Sequence, residues 1–142
     1  MMSDYIKNLE AGLLSEKERK IKKQKEDEEY FKWKKKRKSE EYYQKGADMG
    51  EPKSAFRMGY IKSKKHQRNE AIKYYLVAAN KGDVTAMFNL AVQYDLVDDY
   101  ENAKKWAKKA GEKGDSEGYV YLKKIEEEER KEKEILERIN SK

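Results

Sequence analysis

Gly50, Gly82 and Gly114 stand 32 residues apart, and shifting the chain by that period aligns far more than glycine. The stretch "YYQKGADMGEPKSAFRMG" falls over "YYLVAANKGDVTAMFNLA" and over "WAKKAGEKGDSEGYVYLK". Tyr42, Tyr74 and Trp106 share one position of the repeat, Met58, Leu90 and Leu122 another, and Gly46, Ala78 and Ala110 a third. Self-similarity at a fixed period of about 20 to 50 residues is the mark of a solenoid, whose units bury their apolar faces against one another. The period predicts an all-α fold, a short α-solenoid of antiparallel helix pairs.

Each unit reads as two helices. Between residues 69 and 80 the apolar positions 71, 74, 75, 78 and 79 follow the i, i+3, i+4, i+7, i+8 spacing of one helical face. Gly82 suits the left-handed residue that ends a helix, and Asp83 suits the cap of the next, where its carboxylate accepts from exposed backbone amides. Gly114-Asp115 repeats that punctuation, while Gly50-Glu51-Pro52 offers a weaker cap and a proline at the first helical position. The alanines of the central passage let two helices approach closely while the aromatics fill the space between pairs. That role explains an apolar passage at the centre of a chain that is 44% charged.

These residues carry a resemblance. The segments "AIKYYLVAANKG", "AMFNLAVQY" and "NAKKWAKKAGEKG" are similar to the Sel1-like repeat family, relatives of the tetratricopeptide repeats, over about residues 42 to 125. Ala86, Leu90, Ala91 and Tyr94 match the first half of the family pattern, and Ala103, Trp106, Ala107, Ala110 and Gly114 the second. Lys62 stands where Tyr94 suggests an aromatic, and Lys123 replaces a small residue. What the resemblance implies is an α-solenoid whose members commonly act as adaptors, without catalytic residues.

Long charged helices are expected to flank the repeat. Residues 1 to 14 hold Ile6, Leu9 and Leu13 at helical spacing, which predicts a short amphipathic helix. Ser15 and Glu18 have the spacing of a capping box, and nothing from there to Gly46 breaks a helix. A long basic helix over 15–41 is therefore expected to run into the repeat domain at 42–125, its last turns forming the Tyr42-Tyr43 element. Over 126–142 a charged helical extension is expected, supported by Glu127-Lys131, Glu129-Lys133 and similar pairs at about 0.2 to 0.5 kcal/mol each. Leu136 and Ile139 are positioned to make a small contact at its tip. Because solenoids need polar caps at their ends, the two long helices are expected to serve as those caps.

Two surfaces are candidates for function. The first helix of each unit normally lines the inner face of a solenoid, and counting away from the buried positions 54, 58, 86 and 90 points outward at Arg57, Tyr60, Asn89 and Gln93. Such a row can grip a partner protein by hydrogen bonds and an aromatic anchor, or be an ordinary polar face. The second is "YFKWKKKRK", residues 30 to 38, where Lys32, Lys34, Lys35, Lys36, Arg37 and Lys38 surround Trp33. Such a stretch is first of all a solvated helix face; after that, cations interleaved with an aromatic suit phosphates and a stacked base, and then an acidic protein, an anionic lipid surface or an import signal. The preceding "EDEE", residues 26 to 29, interrupts any continuous phosphate track.

Catalysis has little to stand on. His66 is the single histidine and lies in the polar stretch "KSKKHQRN", without convergent ligands or an oriented partner. Asp95, Asp98, Asp99 and Glu101 lack the alternation and central glycine of a calcium loop, so capping and solubility are their expected uses. There is no cysteine, which removes disulfides and thiolate metal sites, and no cofactor or metal is indicated. The Met-Met-Ser-Asp start shows no leader pattern, and no apolar run approaches the roughly 18 residues of a membrane span, so a soluble, cytoplasmic protein is expected. A net charge of +6 permits an acidic partner without requiring one. The leading expectation is a non-catalytic protein-interaction module, a small adaptor or an inhibitor or regulator that occupies another protein's surface. The alternative is nucleic-acid or ribonucleoprotein binding through residues 30–38.

Overall fold

The computed structural model describes residues 15–141, and six helices lie among them. They are α1 (Glu16–Asp48), α2 (Pro52–Lys64), α3 (Arg68–Asn80), α4 (Val84–Leu96), α5 (Tyr100–Glu112) and α6 (Ser116–Asn140). The expected amphipathic helix of residues 1–14 lies outside the described residues. The chain divides into two units, residues 1–39 and 40–142.

In the first unit, the Ser15 hydroxyl accepts from the Glu18 backbone N–H at 3.2 Å, which is the serine half of the expected capping box. From there α1 runs without a break, and its residues up to Ser39 are exposed apart from half-buried Glu18.

The second unit begins with the last turns of α1. Consecutive helices pack on one another from α2 to α6, joined by connections of three residues, so neighbours run antiparallel in a single stack. The fold is the all-α solenoid that the 32-residue period predicts. All five connections share one geometry, with the central residue left-handed: Gly50 (φ 81°), His66 (58°), Gly82 (97°), Asp98 (60°) and Gly114 (108°). The residue after each donates its backbone N–H to the carbonyl five positions back, as Glu51 does to Gly46 at 2.9 Å and Asp99 to Tyr94 at 2.9 Å. This is the Schellman closure of a helix end. Its rhythm is 16 residues, half the period visible in the glycines. Asp83, Asp99 and Asp115 then cap α4, α5 and α6 by accepting from the amides of Ala86, Asn102 and Glu117, whereas Glu51 makes no such bond and α2 starts on Pro52 instead.

The core is built as the alanine pattern requires. Ala71, Ala78 and Ala79 on α3 face Ala55 on α2 and Ala86 and Ala91 on α4, all buried, and Tyr74 and Tyr75 lie between them. Positions 71, 74, 75, 78 and 79 are the buried face read from the sequence. Phe56 packs on Tyr75 at 5.7 Å between ring centroids, and Phe88 on Tyr121 at 5.5 Å. On α1 the packing differs from the sequence alignment. Tyr42 is 68% exposed, although its repeat mates Tyr74 and Trp106 are buried, and Tyr43 and Ala47 meet the core in its place. Among the described residues no helix precedes α1 to cover the face that Tyr42 occupies. Gln44 still joins the stack by accepting from the Tyr74 hydroxyl at 2.9 Å.

At the other end α6 covers α5 through Gly118 and Ile125, and Lys104 reaches Glu129 at 2.6 Å. That bond to Lys104 holds the Glu129 carboxyl below its ordinary value. Beyond residue 129 the side chains are exposed, Leu136 and Ile139 included, so the contact expected at the tip is not made within the described residues.

Candidate functional site

An open pocket of about 580 Å³ lies where α2, α3 and α4 meet in the second unit. Its position follows from the sequence. Gly59 has no side chain, and a Cβ there would lie 2.6 Å from the Tyr75 ring, so Tyr75 can slide against α2 and reach the pocket from α3. Tyr60, Ser63 and Lys64 contribute from α2, His66 from the turn, Arg68 and Tyr75 from α3, and Asn89, Val92, Gln93 and Leu96 from α4.

Three of the four residues expected on the inner face, Tyr60, Asn89 and Gln93, thus come together in one place. Arg57 is exposed one turn earlier on α2 and does not line the pocket. The outward placement of Gln93 is corrected: it is 4% exposed, with its Nε2 donating to the Ser63 hydroxyl at 3.1 Å and its Oε1 buried without a hydrogen-bond partner among the described residues. The reason is helical geometry. Position 93 is seven residues from buried Ala86 and three from buried Leu90, which returns it to the buried stripe, and Asn89, three from Ala86, falls on its edge and is half-buried.

The pocket joins apolar walls, from Tyr60, Tyr75, Val92 and Leu96, to hydroxyl, amide and cationic groups. Tyr60 is 46% exposed, and the Lys64 ammonium lies 5.3 Å from its ring centroid. The Tyr75 hydroxyl is pushed up to about 12, chiefly by burial, with the Asn89 hydrogen bond opposing and Tyr60 adding to the rise. It therefore stays neutral at physiological pH and can both donate and accept. No carboxylate is among the lining side chains, while Lys64 and Arg68 are cations. The pocket also includes Ser63, His66 and Arg68, which sequence reasoning did not single out as partner contacts. The signal available for them was positional: His66 is the left-handed turn residue and Ser63 and Arg68 flank it.

In the first unit, Lys32, Trp33, Lys34, Lys35, Lys36, Arg37 and Lys38 are all exposed on α1. Tyr30 and Phe31 are exposed beside them, with ring centroids 6.0 Å and 5.9 Å apart for the Tyr30–Trp33 and Tyr30–Phe31 pairs. The Arg37 guanidinium stacks 5.3 Å from the Trp33 ring.

The acidic residues near the α4–α5 turn serve the fold. Asp99 caps α5, and Asp95 accepts from the Tyr121 hydroxyl at 2.7 Å. Among the described residues, no group of three or more His, Cys, Asp and Glu side chains is placed to hold a metal ion, and no helix is long and apolar enough to cross a membrane.

Comparison with known families places this geometry. The model of the Sel1 repeat matches three consecutive segments, residues 34–51, 52–83 and 84–115, more than half of the chain. The second and third segments are α2 with α3 and α4 with α5, each unit ending on the residue that caps the next helix. A search of curated proteins found no match.

Proposed function

The chain belongs to the Sel1 repeat family, and from that premise we propose that it is a non-catalytic protein-interaction module that holds a partner protein at the pocket between α2 and α4. Repeats of this family generally mediate protein–protein interaction. The observation that carries the reading is the convergence of Tyr60, Asn89 and Gln93, from the first helices of two successive repeats, on one recess. An exposed aromatic beside a half-buried and a buried amide is the composition of an anchor point for another protein. In this reading the chain works in the cytoplasm as a small adaptor, or as an inhibitor or regulator that occupies its partner's surface. The reading assigns it no reaction.

Capture from nuclease-treated lysate tests this. The full chain is expected to retain a discrete protein, and Tyr60→Ala with Asn89→Ala is expected to weaken that capture by about tenfold or more, as loss of an interface anchor does. The double variant should remain folded, because Tyr60 is half-exposed and Asn89 sits at the edge of the core, where its loss removes one hydrogen bond to Tyr75 at about 0.5 to 1.5 kcal/mol. Undiminished capture by the folded double variant would move the interface elsewhere.

A second reading rests on α1, where three exposed aromatics stand among six cations between residues 30 and 38. We propose nucleic-acid or ribonucleoprotein binding as the use of that segment if capture collapses on nuclease treatment. Phosphate contacts release counterions, so such binding must weaken steeply with added salt.

A further inference from the structure

One of the residues lining the pocket carries a buried polar atom that no described residue satisfies. Gln93 is held on one side by Ser63, and its Oε1 is buried without a partner. A buried acceptor left unpaired is unfavourable and rare, and where its side chain borders a pocket it is satisfied by a water or by a donor from a bound molecule. Glutamine's terminal torsion is soft, so the amide can turn its carbonyl toward a donor entering the recess. The same lining presents the Lys64 ammonium and the Arg68 guanidinium with no carboxylate to neutralise them, and the half-exposed Tyr60 ring beside them.

We infer that this pocket takes an acidic, extended peptide segment of the partner, whose Asp or Glu carboxylate pairs with Lys64 and Arg68 while a backbone N–H donates to the Gln93 carbonyl. The inference rests on the protein-interaction reading and gives its partner a chemistry. A carboxylate and an amide N–H within one or two residues of each other are what an acidic peptide offers. Arginine matches a carboxylate in two parallel bonds, and the flat tyrosine face receives the peptide stem. A volume of about 580 Å³ lies in the range of ligand sites, and the open form of the recess suits a segment laid across it. A single nucleic-acid strand needs a track of cations along its backbone, and this recess offers a local pair.

The test selects a random linear-peptide library against the full chain and titrates the enriched peptides into the wild type and into the double variant Lys64→Gln, Arg68→Gln. Enriched sequences are expected to be rich in Asp and Glu and to shift the side-chain amide resonances of Gln93 and Asn89. In the double variant they should lose about tenfold or more in affinity, the equivalent of one charge-assisted hydrogen bond. Gln93→Met supplies a second arm, because at nearly constant volume it removes the unpaired acceptor, the larger penalty, together with the Ser63 bond, the smaller gain. The melting temperature should hold or rise while the same peptides bind about tenfold more weakly. A purely structural Gln93 would do the opposite, lowering the melting temperature and leaving peptide affinity intact. The inference is overturned by enrichment of neutral or basic sequences, by no enrichment, or by affinity retained in the double variant. It is overturned equally if a short single-stranded oligonucleotide, and not the peptides, shifts those amides. Should lysate capture still depend on Tyr60 and Asn89 in any of these cases, the protein-interaction reading stands and the acidic chemistry alone falls.

Discussion

Single residues set the turns of this stack, and five left-handed positions decide its direction. Gly50, Gly82 and Gly114 adopt positive φ without steric cost, whereas His66 and Asp98 hold the same conformation with a side chain. Replacing Asp98 by glycine is expected to raise stability by about 0.5 to 1 kcal/mol, the steric relief outweighing the added chain entropy. Gly82→Ala should lower it by about 1 kcal/mol. A Cβ at Gly82 meets nothing within 4 Å, so that loss is one of backbone conformation alone. Denaturant midpoints at constant m-value read both changes, and equal effects of the same sign would refute the shared geometry. The three glycine turns were legible in the sequence because only glycine marks such a position openly. The two alternating turns were not, since histidine and aspartate announce a loop without announcing its conformation. Gln93 was misplaced for a related reason: a polar side chain suggests the surface, while its spacing from Ala86 and Leu90 puts it inside. Periodicity carried the physical information there, and polarity did not.

At the scale of elements, α4 and α6 meet through a small acidic cluster whose charge state is linked to stability. Burial raises the Glu128 carboxyl above its ordinary value, and the hydrogen-bonded Asp95 carboxylate adds to the rise against Lys124 and Lys131. The Tyr121 hydroxyl, donated to the same Asp95, is also raised, first by burial and then by that bond. Because Glu128 has a raised value in the folded chain, its favourable contribution is fully present below its ordinary value of 4.5 and is lost as pH rises through the folded value. At neutral pH, Glu128→Gln should therefore raise the melting temperature, by less than about 1 kcal/mol equivalent because the group is partly solvated. The gain should fade as pH falls through the raised folded value and be gone below 4.5. Melting curves across that range check the sign, and a variant less stable at neutral pH would contradict it. The helices themselves were legible: α1, α3 and the α6 extension follow from uninterrupted periodicity and spaced ion pairs. The Asp95, Tyr121 and Glu128 cluster was not, because it joins residues about 30 apart through a packing register that no local pattern encodes.

For the molecule as a whole, repetition explains both the fold and the site. Successive first helices bring Tyr60 of one repeat and Asn89 and Gln93 of the next to one recess, so the site is a property of stacking and not of any single repeat. The 32-residue period made the solenoid readable from the chain, whereas of the expected inner-face row Arg57 lies outside the recess and Gln93 is buried, and the cationic lining and the unpaired Gln93 carbonyl emerged only once α3 brought Arg68 and Tyr75 alongside. The central claim, that this recess holds a partner protein, is tested most directly by placing a photo-crosslinking benzoylphenylalanine at Tyr60 and, as controls, at exposed Val120 and Trp33, then irradiating nuclease-treated lysate. A discrete protein adduct is expected from position 60 and none from position 120. An adduct from position 33 with none from position 60 would contradict that claim, and would move the working surface of this chain from the repeat pocket to α1.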